Sequence, residues 1–303
     1  MRTCIILNPG AGAIDDHRDV MDRLERIGDC VIVVTEEPGD EAVAARRAVD
    51  RGFERVVACG GDGTVHGVVA GLRNSLDEVV VGMVPLGTAN DFARSLGLPL
   101  RTDDAIDLIV EGTTRQIDLG AMRRSNTSED DSDGHLFVNV ATGGFGGQVA
   151  DDVDPETKRT WGPLAYLRTA VEHLRDLQRY RVRLETDEGQ VIEKDVYNVV
   201  VANGSRAGGN LPVAPRARMD DGLFDVVLVP AVALPELAAV ASRIAAGEHG
   251  ASGRVNHLRT EALRLDAEPA MPFRLDGESV DPGPAELHVL PGALRVVAPE
   301  KSG

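Results

Sequence analysis

Val56-Val57-Ala58-Cys59-Gly60-Gly61-Asp62-Gly63-Thr64-Val65 is an apolar run that ends in two glycines, an aspartate, a third glycine and a threonine. The run is short and rich in β-branched residues, so it reads as a strand buried on both faces. A helical pattern follows, with Val65, Val68, Val69 and Leu72 on one face. A strand that feeds a helix through glycines is the repeating unit of a parallel α/β sheet. Glycines there let the backbone approach a ligand closely and adopt positive φ. The helix start offers N–H groups and the positive end of its dipole, which suits phosphate. Thr64 can cap that helix or donate to a phosphate oxygen. Asp62 is the odd element, because a carboxylate beside phosphates is repulsive unless a cation lies between them; this points to Mg²⁺. The plain structural alternative is a tight Asp-Gly turn. No Lys-Ser/Thr follows the glycines, so this is not a Walker-type loop.

The pattern repeats on either side. Strand-like runs at 3–7, 30–35, 55–59, 79–85 and 116–119 alternate with amphipathic stretches, one carrying Val20, Met21, Leu24 and Ile27 and another spanning 40–50. A parallel sheet covered by helices is expected over residues 1–121, with a tail at about 292–303 packing back on it. In such sheets ligands bind beyond the carboxyl ends of the strands. From 122 to 291 the pattern changes. Runs at 135–141, 181–185, 191–202, 224–229, 262–265, 272–275, 286–290 and 294–298 read as strands with few helices between them. A mostly β, antiparallel, sandwich-like second domain is expected. Helical patterns interrupt it at about 161–177 and 234–246, and 123–134 reads as an exposed polar loop.

Composition narrows the function classes. The net charge is −17, which repels nucleic-acid backbones, so no nucleic-acid partner is expected. Basic residues are almost all arginine, with lysine only at 158, 194 and 301, and the acidic excess suggests a salt-adapted cytoplasm. No stretch reaches the roughly 20 apolar residues of a membrane span. The N-terminus has no signal-peptide layout, and a cytoplasmic location is expected. Cys4, Cys30 and Cys59 each sit in or beside an apolar run and read as reduced residues of the core. The seven histidines show no metal-binding spacing.

Three further segments have the same character. Pro85-Leu86-Gly87-Thr88-Ala89-Asn90-Asp91-Phe92-Ala93-Arg94 again follows an apolar run, and by itself reads equally as an ordinary helix start. Leu7-Asn8-Pro9-Gly10-Ala11-Gly12 is a turn after a strand. Arg274-Leu275-Asp276-Gly277-Glu278 places two carboxylates around a glycine, which a bare hairpin turn would also do.

Taken together, in this order and spacing, the four segments resemble the diacylglycerol/sphingosine-type lipid kinases and the bacterial lipid kinases related to them. The likeness extends to Pro38-Gly39-Asp40-Glu41-Ala42 and to Ile117-Asp118-Leu119-Gly120. The resemblance implies an α/β nucleotide domain, a β-rich second domain and an active site in the cleft between them. It implies ATP and Mg as cofactors, with the nucleotide held by Asn8, Thr35, Gly60, Gly61, Asp62, Gly63, Thr64, Val65, His66 and Thr88. Asp62, Asp91 and Asp118 would hold Mg²⁺ through water. Glu278 would be the base facing the acceptor hydroxyl, with Asp276 beside it. The segment Arg218-Met219-Asp220-Asp221-Gly222-Leu223 resembles a stretch where relatives hold a second, structural Mg²⁺, through the Asp221 side chain and the carbonyls of Arg218 and Leu223; an Asp-Asp-Gly turn between strands is the alternative.

The chain departs from the family in two places. Ala13 stands where many bacterial relatives carry a lysine, and Gly144-Phe145-Gly146-Gly147 lacks a carboxylate that the family often has. The expected reaction is phosphorylation of the hydroxyl of a diacylglycerol-like or other amphiphilic lipid. A kinase of a soluble alcohol such as NAD, and a non-catalytic nucleotide-binding regulator, are the competing readings. Between 156 and 183 lie seven basic residues, three acids, Trp161 and several leucines, a composition suited to peripheral contact with an anionic membrane face or to a helix packed on the core. The family likeness also raises a homodimer.

Overall fold

The computed structural model describes residues 1–12, 17–124, 134–144, 177–233, 236–237 and 256–300. The chain divides into two compact units, one formed by Met1–Asp118 with Pro291–Gly303, the other by Leu119–Leu290.

The first unit is built on parallel strands. β1 (Thr3–Leu7) pairs with β2 (Cys30–Val34) and with β3 (Arg55–Gly60), and β3 pairs with β4 (Val80–Pro85), all in parallel. β3 and β4 are buried along their whole length, as expected of strands covered on both faces. The helices are α1 (His17–Leu24), α2 (Asp40–Asp50), α3 (Asp62–Gly71), α4 (Asp91–Leu96) and α5 (Thr102–Glu111). On one face Ile5, Leu7, Val57 and Cys59 form a core with Leu24 of α1 and Ile106 and Ile109 of α5. Elsewhere α2 and α3 approach closely because α3 has glycines at the crossing. A Cβ on Gly71 would lie 2.3 Å from the Ala42 carbonyl oxygen, and one on Gly67 would lie 2.9 Å from the Glu41 Cβ.

Residues after 290 complete this unit. Within β15 (Ala285–Val297), Val296 pairs with Val81 of β4 in parallel. The Ala298 N–H donates to the Thr113 carbonyl at 3.1 Å, and the Gly292 N–H donates to the Asp118 carboxylate at 2.8 Å.

The second unit is antiparallel. β7 (Val140–Gly144), β8 (Tyr180–Thr186) and β10 (Phe224–Pro230) all pair with the long β9 (Val191–Ala202). β10 pairs with β11 (Asn256–Thr260). β12 (Ala262–Glu268) joins β8 to residues 285–288 of β15. β13 (Phe273–Leu275) lies between β7 and β14 (Glu278–Val280), and β6 (His135–Phe137) pairs with residues 120–122 of β5 (Thr114–Arg124). Alternating strand residues fill one core, where Phe137 and Phe224 stack at 5.6 Å.

The observed strands differ from the expected runs at four places. The run at 135–141 splits at Val138 and Asn139, whose N–H groups leave the ladder for the Asp276 carboxylate. The runs at 286–290 and 294–298 form the single strand β15 across Pro291-Gly292. β11 and β14 were not expected. The helical pattern at 161–177 lies outside the described residues except for its last position. That at 234–246 lies outside them except for residues 236–237, and the loop at 123–134 except for residues 123, 124 and 134. Among the described residues no helix is long and apolar enough to cross a membrane.

Candidate active site

In the first unit the glycine-rich turns gather at the carboxyl ends of β1, β3 and β4. The ladder extends into them: the Asn8 N–H donates to the Cys59 carbonyl at 3.0 Å and the Leu86 N–H to the Gly60 carbonyl at 2.8 Å. These bonds set the Asn8, Gly60 and Leu86 turns side by side. Backbone contacts then leave no room for side chains. A Cβ on Gly87 would lie 2.6 Å from the Gly61 Cα, and one on Gly12 would lie 2.0 Å from the Leu86 carbonyl oxygen. A Cβ on Gly60 would run into the buried Thr64 side chain at 2.2 Å.

α3 begins at Asp62 with no side chain capping it, and its first helical bond is from the Val65 N–H to the Gly61 carbonyl. The opening turn therefore has the donor groups and dipole end that suit phosphate. The Asp62 side chain reaches across to α4: Oδ2 accepts the Asp91 N–H at 3.0 Å and Oδ1 accepts the Phe92 N–H at 2.9 Å. A carboxylate at a helix N-terminus is favoured by the dipole as well as by the bonds. Asn90, just before α4, has positive φ, and its amide donates to the Gly87 carbonyl at 2.7 Å. That bond fixes the amide, leaving the buried Asn90 Oδ1 with no hydrogen-bond partner.

Thr35 is buried beside β1, with its N–H on the Leu7 carbonyl at 2.9 Å. Buried Glu41 accepts from the Asn8 amide at 3.1 Å and from the Gly39 N–H at 3.2 Å, and so ties two of the turns together. Gly63 and Thr88 are exposed, Val65 is buried and His66 is half-buried. Asp91 and Asp118 are both buried. The Cys59 thiol is pushed up to about 12 by burial and stays protonated, so it is no nucleophile.

This cradle fits the phosphates of a nucleotide, since Gly12, Gly60 and Gly87 are required by close approach and the residue before α3, Gly61, offers no side-chain cap. Among the described residues no group of three or more His, Cys, Asp or Glu side chains is arranged to hold a metal ion directly. Both Asp62 oxygens already accept N–H bonds. The set therefore suits a metal only through intervening water.

In the second unit, Asp276 and Gly277 both have positive φ and form the two-residue turn between β13 and β14, the geometry that Asp-Gly hairpins favour. The Asp276 carboxylate does not point to solvent. Oδ2 accepts the Val138 N–H at 2.6 Å, and Oδ1 accepts those of Asn139 and Val140, both at 2.9 Å. Asn139 and fully buried Asn203 continue the network: the Asn203 amide donates to the Val138 carbonyl at 2.7 Å, and the Asn203 N–H donates to the Asn139 carbonyl at 2.9 Å. Glu278 is exposed at the start of β14.

Two segment models match this chain. Residues 2–122 match the diacylglycerol kinase catalytic domain, and residues 139–298 match the YegS C-terminal NAD kinase beta sandwich-like domain. The chain belongs to the diacylglycerol kinase family. A "Probable lipid kinase YegS-like" of Pseudomonas aeruginosa (strain UCBPP-PA14) is 35% identical over 89% of this lipid kinase and 84% of its own length. A "Diacylglycerol kinase" of Bacillus subtilis is 31% identical over 99% and 97%. A crystal structure of a diacylglycerol kinase from Bacillus anthracis str. Sterne has a TM-score of 0.78 at 22% identity, over 99% and 97% of the two chains, and shows the same fold.

In this lipid kinase several polar residues that organise the turns carried no signal of their own. Glu41 and Asn90 lie inside segments that carry the family likeness and Asn139 and Asn203 do not, but each acts through partners that one sequence does not pair with it. In the stretch from Arg218 to Leu223, Asp221 accepts the Leu223 N–H on Oδ1 at 3.2 Å and pairs with Arg259 through Oδ2. Of the basic stretch at 156–183, residues 156–176 lie outside the described residues. At its end Arg179 and Arg181 pair with Asp195, and Arg183 with Glu185 and Glu193.

Proposed function

We propose that this lipid kinase transfers the γ-phosphoryl group of ATP to the hydroxyl of a diacylglycerol-like or other amphiphilic lipid. The observation that carries the reading is the uncapped start of α3 inside a glycine cradle locked by Asp62. Backbone N–H groups from Gly60 to Thr64 hold the phosphates, with Asn8, Thr35, Val65, His66 and Thr88 around the rest of the nucleotide. ATP supplies the phosphoryl group, and Mg²⁺ bound with it offsets negative charge on the phosphates. Asp62, Asp91 and Asp118 are the residues that would orient that ion through water. Such a transfer demands chiefly positioning and charge neutralisation from the protein.

Glu278 accepts the proton of the lipid hydroxyl as the new O–P bond forms, and the nucleoside diphosphate leaves. Glu278 is suited to this because it is an exposed carboxylate on a turn whose conformation Asp276 holds. Asp276 acts as a positioning residue, with its oxygens committed to three N–H groups. The lipid's membrane is approached through the stretch at 156–183, and a homodimer is compatible with the family.

The test is incubation of the purified chain with ATP, Mg²⁺ and total lipid extract at high salt, followed by mass spectrometry. New phosphorylated lipids that vanish with Glu278→Gln are expected. Turnover of NAD or another soluble alcohol, with no lipid product, would refute the lipid assignment.

A further inference from the structure

The turn at Asp220-Asp221-Gly222 is where the family likeness calls for a structural cation. It precedes β10, and the carboxylates of Asp221 and Asp225 share one partner there. Asp225 is fully buried, and its Oδ1 lies 2.6 Å from His257 Nε2. Its Oδ2 faces Arg259 Nε at 3.5 Å. Asp225 and Arg259 are direct partners in the β10–β11 register, so the strand pairing itself delivers the guanidinium. The same guanidinium reaches Asp221 Oδ2, while Asp221 Oδ1 is taken by the Leu223 N–H. Asp220 pairs with Arg218 at 3.5 Å.

A buried carboxylate such as Asp225 is costly unless a cation accompanies it. We infer that Arg259 is the resident cation of this turn, bridging Asp221 and Asp225 in place of a divalent metal. An arginine suits the task because its charge is permanent and its planar fork can serve two carboxylates at once. A metal on the Asp221 side chain would have to displace it. The second unit then needs no divalent ion to keep its turn between Arg218 and Phe224, and any Mg²⁺ requirement of the enzyme belongs to the nucleotide. The inference stands whatever lipid is phosphorylated.

The test uses the full chain without nucleotide. Thermal midpoints are compared in EDTA, in MgCl₂ and in NaCl of matched ionic strength, for the wild type, Asp221→Asn and Arg259→Met. Mn²⁺ binding is followed by electron paramagnetic resonance on the same samples. Wild type and Asp221→Asn should respond alike to Mg²⁺ and take up the same amount of Mn²⁺. Arg259→Met should melt earlier than wild type in EDTA. A saturable Mg²⁺ stabilisation or a Mn²⁺ signal that Asp221→Asn abolishes would overturn the inference, as would an Arg259→Met midpoint equal to that of the wild type. If Arg259→Met does not fold, the comparison of wild type with Asp221→Asn still decides.

Discussion

Asp62 and Asp91 are joined side chain to backbone: the Asp62 carboxylate accepts the Asp91 N–H at 3.0 Å, and its other oxygen takes the next N–H at 2.9 Å. The residue that opens α3 is therefore the cap of α4. The two glycine turns are locked by one of the carboxylates that the nucleotide reading assigns to the metal. Asp62→Asn keeps one acceptor and turns an amide N–H₂ toward the other N–H. The expected cost is about 1–3 kcal/mol of stability, together with a large loss of turnover. Denaturant melts beside a kinase assay check this, and an unchanged melt would mean that the cap is dispensable.

Gly87 is required by contact rather than by φ. In Gly87→Ala the new methyl carbon would sit 2.6 Å from the Gly61 Cα and 2.8 Å from Asn90 Oδ1. Backbone cannot rotate away as a side chain can, so the two turns must part. We expect a loss on the order of 1–3 kcal/mol and weaker ATP binding, measured by calorimetry on the folded variant.

Glu278 and Asp276 should separate in experiment although one residue lies between them. Glu278 is exposed, so Glu278→Gln should melt like the wild type while turnover falls by orders of magnitude. Asp276→Ala abandons three N–H groups at once and places alanine at positive φ, so its melting point should drop sharply. Asp276→Asn, which tolerates that φ and keeps one acceptor, should lie between Asp276→Ala and the wild type in both stability and turnover. The pairing of melting and turnover data distinguishes the base from the residue that holds it.

Asp40 gives a pH signature. Its carboxylate accepts the N–H groups of Glu36 and Glu37, which hold its pKa below the ordinary value of 3.8. A depressed folded pKa contributes stability above the unfolded value, and that stability is lost as pH falls through the folded value. Asp40→Asn should therefore be less stable than the wild type by a constant margin at neutral pH. The margin should shrink below about pH 4, as read from urea midpoints across a pH series.

The parallel strands and their glycine turns were legible because their signal is local: apolar runs of five or six residues, each punctuated by Gly, Asp or Asn. The antiparallel half was legible as a class, but its details depend on distant partners. β14 has only three residues, and β11 is too polar to stand out. Pro291-Gly292 looks like a break but is a step inside one strand, where Gly292 has positive φ and gives its N–H to Asp118. Asp276 reads in the sequence as a neighbour of Glu278. Its hydrogen-bond partners lie 136 to 138 residues upstream, beyond any local pattern. A shorter separation hid Arg259, which is 38 residues from Asp221.

Residues 119–290 are translated between the two parts of the first unit. The strand that pairs with β4 emerges from the ribosome only after the whole antiparallel unit has been made. During synthesis the first unit must wait with one sheet edge open while the second can already close. A stalled or prematurely terminated chain would thus carry a finished second unit and an unfinished first one, a nascent form prone to edge-to-edge association and in need of chaperone cover.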